Sequence, residues 1–333
     1  MPRRETGVQP DERLQQAMQW VLLATLPAAL TLLLWYGWGV LINLLFCAFT
    51  ALLVEAAVLR LRVRPVRPAL MDGSALVSAT LLALALPPYS PWWLPVFASA
   101  GALLAGKHLY GGVGRNPFNP AMLGYALALV TFPQAMTHWP VSHGMDLLGG
   151  LQQVLGLHLA GQPDAWAQAT ALDTLRINKS LTMEELFAAK GAFGHWGGKG
   201  AEWVNLAFLA GGLFLLKQRV FSWHAPVGML GSLFLISLVC WNGSGSDSNG
   251  SPLFHLLTGA TMIGAFFITT EPVSGPRSAR ARLLFGAGVG LLTYIIRTWG
   301  GYPDGVAFAV LLMNLMVPAL ERWSVPRSVQ VAP

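Results

Sequence analysis

The run Asp164-Ala-Trp-Ala-Gln-Ala169-Thr170 poses the clearest chemical problem in this sequence. A threonine hydroxyl is a weak nucleophile unless a base activates it, and no His or Lys adjoins Thr170 to form such a pair, so self-catalysis is not expected. A hydroxyl modified by another enzyme has different needs. It needs an accessible extended segment, a small residue beside the threonine over which the modifying site can close, and a recognition residue at a fixed distance. Thr170, Ala169 and Asp164 supply these.

Other groups carry weaker signals. Ionisable side chains inside a bilayer cost at least about 2.5 kcal/mol at its centre, so each is a functional candidate. Glu55 lies within an apolar run, where helix packing and ion handling are both open; Asp72, Glu202 and Glu271 sit at the ends of such runs and read as caps or interfacial anchors. The stretch Gly101-Ala-Leu-Leu-Ala-Gly106-Lys107-His108 is one residue from a phosphate-binding loop, but it ends an apolar run instead of linking a buried strand to a helix, and phosphate binding is not expected. Gly286 and Gly290 have the spacing of close helix packing. The seven His residues show no pair at metal-ligand spacing on one helix, and Cys47 and Cys240 are far apart, so neither a metal site nor a protein-held iron-sulfur cluster is expected.

The elements that must position these residues follow from composition. Of 333 residues, 54% are apolar and 11% charged, against about 25% charged in soluble domains, and the mean hydropathy is +0.53. An ordinary soluble enzyme is excluded, and an all-α polytopic membrane protein is expected. Apolar runs place ten transmembrane helices at about 17–36, 38–58, 71–87, 93–107, 118–133, 203–217, 225–241, 253–270, 283–299 and 305–321. The organisation is then a cytoplasmic tail (1–16), a first half of five spans (17–133), an extracytoplasmic segment (134–202), a second half of five spans (203–321) and a cytoplasmic tail (322–333). Two halves of five spans in opposite orientation have the layout of an inverted-repeat bundle. Within the long segment, an amphipathic stretch near 146–159 and a capping box, Thr182 with Glu185, mark two short helices.

Charge supports this topology. With the N-terminus inside, the cytoplasmic side collects 16 of the 21 Lys and Arg residues, and the other side keeps Arg176, Lys179, Lys190, Lys199 and Arg297. The net charge of +6 is therefore read as loop charge that sets orientation, and no nucleic-acid partner is expected.

Asp164 six residues before Thr170, with Ala169 immediately before it, resembles the sequence at which a flavin transferase attaches FMN to threonine through a phosphoester. The wider chain resembles the RnfD/NqrB family of membrane subunits through Asp72-Gly-Ser-Ala, Leu-Ala-Leu-Pro87-Pro88, Gly114-Arg-Asn116-Pro117-Phe-Asn119-Pro120-Ala-Met122, Ala169-Thr170-Ala-Leu172, Glu202, Gly264-Ala-Phe-Phe-Ile268 and Pro272-Val-Ser274. Of these, the Asn-Pro-Phe-Asn-Pro-Ala run is the most specific, and the short N-terminal tail is closer to the RnfD branch. Two positions depart from the pattern: Ala167-Gln168 stands where Ser or Thr followed by Gly is usual, and Glu271 where Asp is commoner. Thr258-Gly-Ala-Thr261 imitates the core of the attachment motif, but His255 takes the place of Asp and the run lies in the eighth expected span.

The resemblance implies a membrane subunit of an ion-translocating electron-transport complex working between NADH and ferredoxin, with covalent FMN on Thr170 and Asp164 read by the transferase. It further implies a second, unattached riboflavin, to which no residue is assigned. Implied partners are the other Rnf subunits (A, B, C, E and G), a flavin transferase for maturation, and membrane lipids. The implied location is the bacterial inner membrane, with both termini cytoplasmic and the Thr170 loop periplasmic. Arg176 and Lys179 are candidates to neutralise the flavin phosphate. An NqrB-like subunit of a sodium-pumping quinone reductase, and a transporter or channel without redox chemistry, are the alternatives; flavin fluorescence on the denatured polypeptide separates the last from the others.

Overall fold

In hydrocarbon a backbone must satisfy its own polar groups, so long apolar runs fold as helices. The computed structural model describes residues 12–140, 145–157, 167–178, 180–189, 191–302 and 304–324. The first half contains α1 (Glu12–Tyr36), α2 (Gly39–Leu61), α3 (Val66–Met71), α4 (Ser74–Ala85), α5 (Trp93–Gly101) and α6 (Pro120–Thr131); α5 runs on into a π-helical segment, Ala102–His108. The long segment holds α7 (Pro133–Thr137), β1 (Trp139–Pro140), α8 (Leu147–Leu155), β2 (Ala167–Gln168), α9 (Ala171–Ile177) and α10 (Met183–Ala188). The second half holds α11 (Ala201–Lys217), α12 (His224–Val239), α13 (Pro252–Leu257), α14 (Thr261–Ile263), α15 (Ala279–Trp299) and α16 (Val306–Ser324), with π-helical Gly264–Ile268 extending α14.

The chain is a multi-pass helical membrane protein. Among the described residues four helices, α1, α2, α15 and α16, are long and apolar enough to cross a bilayer. Their outward faces carry large apolar side chains such as Leu34, Leu45, Phe49 and Leu315, which are 62 to 78% exposed and which water would not tolerate in such numbers. The apolar helices α4 and α6 have twelve residues each, about 18 Å of rise against a hydrocarbon core of about 30 Å.

Two expected spans are corrected in their detail. The run at 253–270 is not one helix: α13 stops at Leu257, the chain turns through Gly259 in a left-handed conformation (φ 61°), and helix resumes at Thr261. The run at 71–87 opens on a similar device: α3 ends at Met71, the chain turns through Gly73 (φ 78°), and α4 begins at Ser74. The two breaks lie toward opposite ends of α1: Gly73 is near its start, and Gly259 lines the same cavity as Leu32 and Tyr36 near its end. Met18, near its start, stands beside Gly73, and Trp35, near its end, stands beside Gly200 ahead of α11.

Packing is tightest where small residues let backbones meet. On α15, Gly286 and Gly290 face the carbonyls of Ala225 and Met229 on α12, and a Cβ at either glycine would collide with that backbone. Across the halves, α1 packs on α11 and α6 on α16. In the long segment Asp146 caps α8 by accepting from the Gly149 amide at 3.1 Å, and Thr182 with Glu185 closes a full capping box on α10.

Candidate functional site

Thr170 is positioned by a strand and a helix. The two residues of β2 pair antiparallel with β1, Trp139 opposite Gln168 and Pro140 opposite Ala167, and this pins the extended approach to Thr170. Thr170 is then the N-cap of α9, its Oγ1 accepting from the Asp173 amide at 3.2 Å. The expectation of an exposed extended loop is thereby refined. Ala169 is exposed, while Thr170 is half-buried and its hydroxyl lies 3.5 Å from a carboxylate oxygen of Asp173. Asp164, Lys179 and Lys190 lie outside the described residues.

Beside Thr170 a cavity of about 150 Å³ opens into the bundle. Tyr36, Tyr125 and Trp139 line it with aromatic surface; Asp173, Lys199 and Asp304 bring charge; Leu32, Leu84, Met122 and Phe208 form apolar walls. Tyr36 and Trp139 meet edge to face, centroids 5.7 Å apart. Burial pushes the Asp173 carboxyl above its ordinary range, and the nearby Arg176 opposes that shift. Arg176 lies 3.2 Å from Asp173 and also donates to the Gly301 carbonyl, so this expected phosphate partner is already engaged.

The helix break between α13 and α14 forms another wall of the cavity through Thr258, Gly259 and Ala260. Breaking a helix exposes backbone groups that must be re-satisfied inside the protein. Asn205 donates to the Gly259 carbonyl at 3.0 Å and accepts from the Met262 amide at 3.0 Å, and Asp304 accepts from the Ala260 amide at 2.6 Å. Arg297, 4% exposed, donates to the carbonyls of His255 (2.9 Å) and Thr258 (3.3 Å), to Thr261 Oγ1 (3.0 Å) and to Asp304 (3.1 Å). Thr261 is fully buried in this network, donating to His255 and Thr258 carbonyls, so no soluble enzyme reaches its hydroxyl.

The remaining candidates have structural partners. Glu55 is buried with Lys107 at 2.8 Å and His108 at 3.0 Å, and Lys107 also donates to Ser74 Oγ at 2.9 Å. That pairing occupies the lysine of the phosphate-loop-like stretch. Asp72 accepts from the Ser74 amide at 2.7 Å, Glu271 from the Ser274 amide at 2.7 Å, and Glu202 from the amides of His195, Trp196 and Gly197 at 3.0 to 3.3 Å. Among the described residues no group of three or more His, Cys, Asp and Glu side chains is arranged to hold a metal. Residues 116–120 and 314–318 share an Asn-x3-Pro pattern and touch: the Asn119 amide donates to Asn314 Oδ1 at 3.1 Å.

Residues 3–330 match the family described as NQR2, RnfD, RnfE. The chain belongs to this family. The D subunit of the ion-translocating oxidoreductase complex of Ectopseudomonas mendocina (strain ymp) is 62% identical over 316 residues, 95% of this chain and 92% of that protein. The protein of the same name from Pseudomonas aeruginosa (strain UCBPP-PA14) is 62% identical over 312 residues, 93% of this chain and 90% of its own length. That of Cellvibrio japonicus (strain Ueda107) is 48% identical over 323 residues, 95% and 91% of the two chains. Sequence reasoning missed Arg297, Asn205 and Asp304 as a unit; the signal available was an Arg in an apolar run with Asp seven residues on.

Proposed function

We propose that the chain is a membrane subunit of an ion-translocating oxidoreductase complex, carrying FMN on Thr170 and relaying electrons across the membrane. The observation that carries this reading is a half-buried threonine hydroxyl on the wall of an aromatic-lined cavity, in a chain of this family. The donor set fits a flavin: Tyr36, Trp139 and Tyr125 offer flat apolar surface to its ring system, and the half-buried hydroxyl of Thr170 offers an oxygen for its phosphate. Bound FMN supplies one- and two-electron chemistry; the chain fixes its position and the polarity around it. Formally the phosphoester joins Thr170 Oγ1 to FMN with loss of one water, and maturation by a flavin transferase that reads Asp164 belongs to the same proposal. So do an unattached riboflavin, the other subunits of the complex as partners, and a bacterial inner-membrane location with the Thr170 segment outside.

A ten-span inverted repeat is the architecture we infer. Two features support it: the first helices of the two halves (α1, α11) pack together, as do the last (α6, α16), and the third segment of each half is a six-residue helix, a left-handed glycine and a second helix.

The test is Thr170→Val in protein made with a competent flavin transferase. In-gel flavin fluorescence of the denatured polypeptide should vanish. Loss of the cap costs about 1 kcal/mol, so membrane insertion should survive. Thr261→Val should leave the fluorescence unchanged. Mass spectrometry of the peptide from Asp164 to Arg176 should show FMN less one water, and an unmodified peptide would overturn the reading.

A further inference from the structure

Among the described residues, the charges around the Thr170 cavity pair off with one exception. Asp173 is paired with Arg176 at 3.2 Å and Asp304 with Arg297 at 3.1 Å. Lys199 lines the same cavity, and among the described residues its amine has no partner. The nearest acidic residue in sequence, Glu202, does not serve it, because that carboxylate is taken up by the amides of His195, Trp196 and Gly197.

The lysine is also held in place by its backbone. Its amide donates to the Ala192 carbonyl at 2.8 Å, the Gly194 amide donates to Gly197 at 2.8 Å, and Phe193 and Gly198 form an antiparallel bridge. Gly198 closes this clasp against α9: a Cβ built there would stand 3.4 Å from the Cβ of Ala171, the residue after Thr170. The chain neighbours of Lys199 and of Thr170 thus lie side by side, and Lys199 and Thr170 line the same cavity.

We propose that Lys199 is the positioning residue for the phosphodiester of the Thr170-linked flavin. The inference rests on the reading that Thr170 carries FMN. A phosphate esterified on two sides keeps one negative charge, and among the described residues Lys199 is the cation of the cavity wall without a carboxylate partner; Arg176, the nearer cation in sequence, is committed to Asp173 and Gly301. An ammonium–phosphate pair at this exposed mouth contributes little to folding, but it fixes where the tether points and so where the ring enters the cavity.

The experiment compares Lys199→Gln and Lys199→Arg in the intact complex, produced with its flavin transferase. Denatured-gel fluorescence reads attachment, and the ³¹P resonance of the phosphodiester reads the pairing. Lys199→Gln should keep covalent flavin within about twofold while its ³¹P resonance shifts and stops responding to salt. Lys199→Arg should restore both position and salt response. An unmoved ³¹P resonance with flavin attached in Lys199→Gln would overturn the pairing, and a change only in flavin midpoint potential would overturn it in favour of a ring contact. Attachment lost in Lys199→Gln and not regained with Arg would also overturn it. Absence of covalent flavin from the unsubstituted protein would instead remove the reading on which the inference rests.

Discussion

Among the described residues two six-residue helices stop at a left-handed glycine, toward opposite ends of α1, and each break is held by a buried cation from a distant helix. At one end Lys107 reaches Glu55 and the Ser74 hydroxyl just past Gly73; at the other Arg297 reaches Asp304 and the Thr261 hydroxyl just past Gly259. Cation, carboxylate, hydroxyl and left-handed glycine recur in both. What differs is the surroundings. Around Glu55 the charges satisfy one another inside packed helices, whereas the Arg297 cluster forms part of the wall of the Thr170 cavity. Buried charge of similar make-up thus closes one end of the molecule and keeps a recess open at the other. The backbone accounts for this: Arg297 bonds two carbonyls of the break itself, while Lys107 bonds side chains alone.

Arg297→Met breaks the comparison most severely. It strips four acceptors at once, the carbonyls of His255 and Thr258, Thr261 Oγ1 and Asp304, all in the cavity wall or directly behind it. Removing one partner of a buried pair costs about 3–5 kcal/mol, and the upper end is expected here. Thermal unfolding in detergent should show the loss, and flavin fluorescence should fall with it because the cavity is no longer shaped. Replacing Asp304 as well should not recover stability, since the two carbonyls stay uncovered and the Ala260 amide loses its acceptor.

The other end should respond in the opposite way. Glu55→Leu alone leaves Lys107 buried without an anion and should destabilise by about 3 kcal/mol or more. Adding Lys107→Met should recover much of that, because well-packed apolar side chains replace a buried ion pair at little cost when no backbone group depends on it; the remainder is the Nε2 of His108, which loses Glu55 as well. Equal recovery in both double variants, measured by the same unfolding experiment, would abolish the distinction drawn between the two ends.

Legibility in the sequence followed the range of the interactions. Apolar runs located the helices, the Thr182–Glu185 spacing located α10, and Gly286 with Gly290 marked the α12–α15 contact, because each of these is written within a few residues. Thr170 stands out in the sequence through a local motif. The break at Gly259 does not, since Thr-Gly-Ala inside an apolar run reads as helix, and the groups that satisfy its open backbone are 39 to 57 residues away. Lys199 was equally silent: only the fold brings the Gly-rich clasp at 191–200 against α9.

The smallest effect separates local motif from surroundings. Thr170 and Thr182 occur in the same segment, and both are N-caps whose hydroxyl accepts from the amide of an acidic residue three positions on, at 3.2 and 3.3 Å. Thr182 is the better cap, because Glu185 returns the bond to the Thr182 amide at 2.7 Å. Yet Thr182 does not line the cavity, whereas Thr170 does. Thr182→Val should therefore cost about 1 kcal/mol, visible as faster amide exchange confined to α10, with flavin fluorescence at its full value. Thr170→Ser retains the cap oxygen at the cavity and should keep both α9 and some flavin. Loss of flavin from Thr182→Val would mean that the capped loop as a whole, and not the cavity beside Thr170, is what the flavin requires.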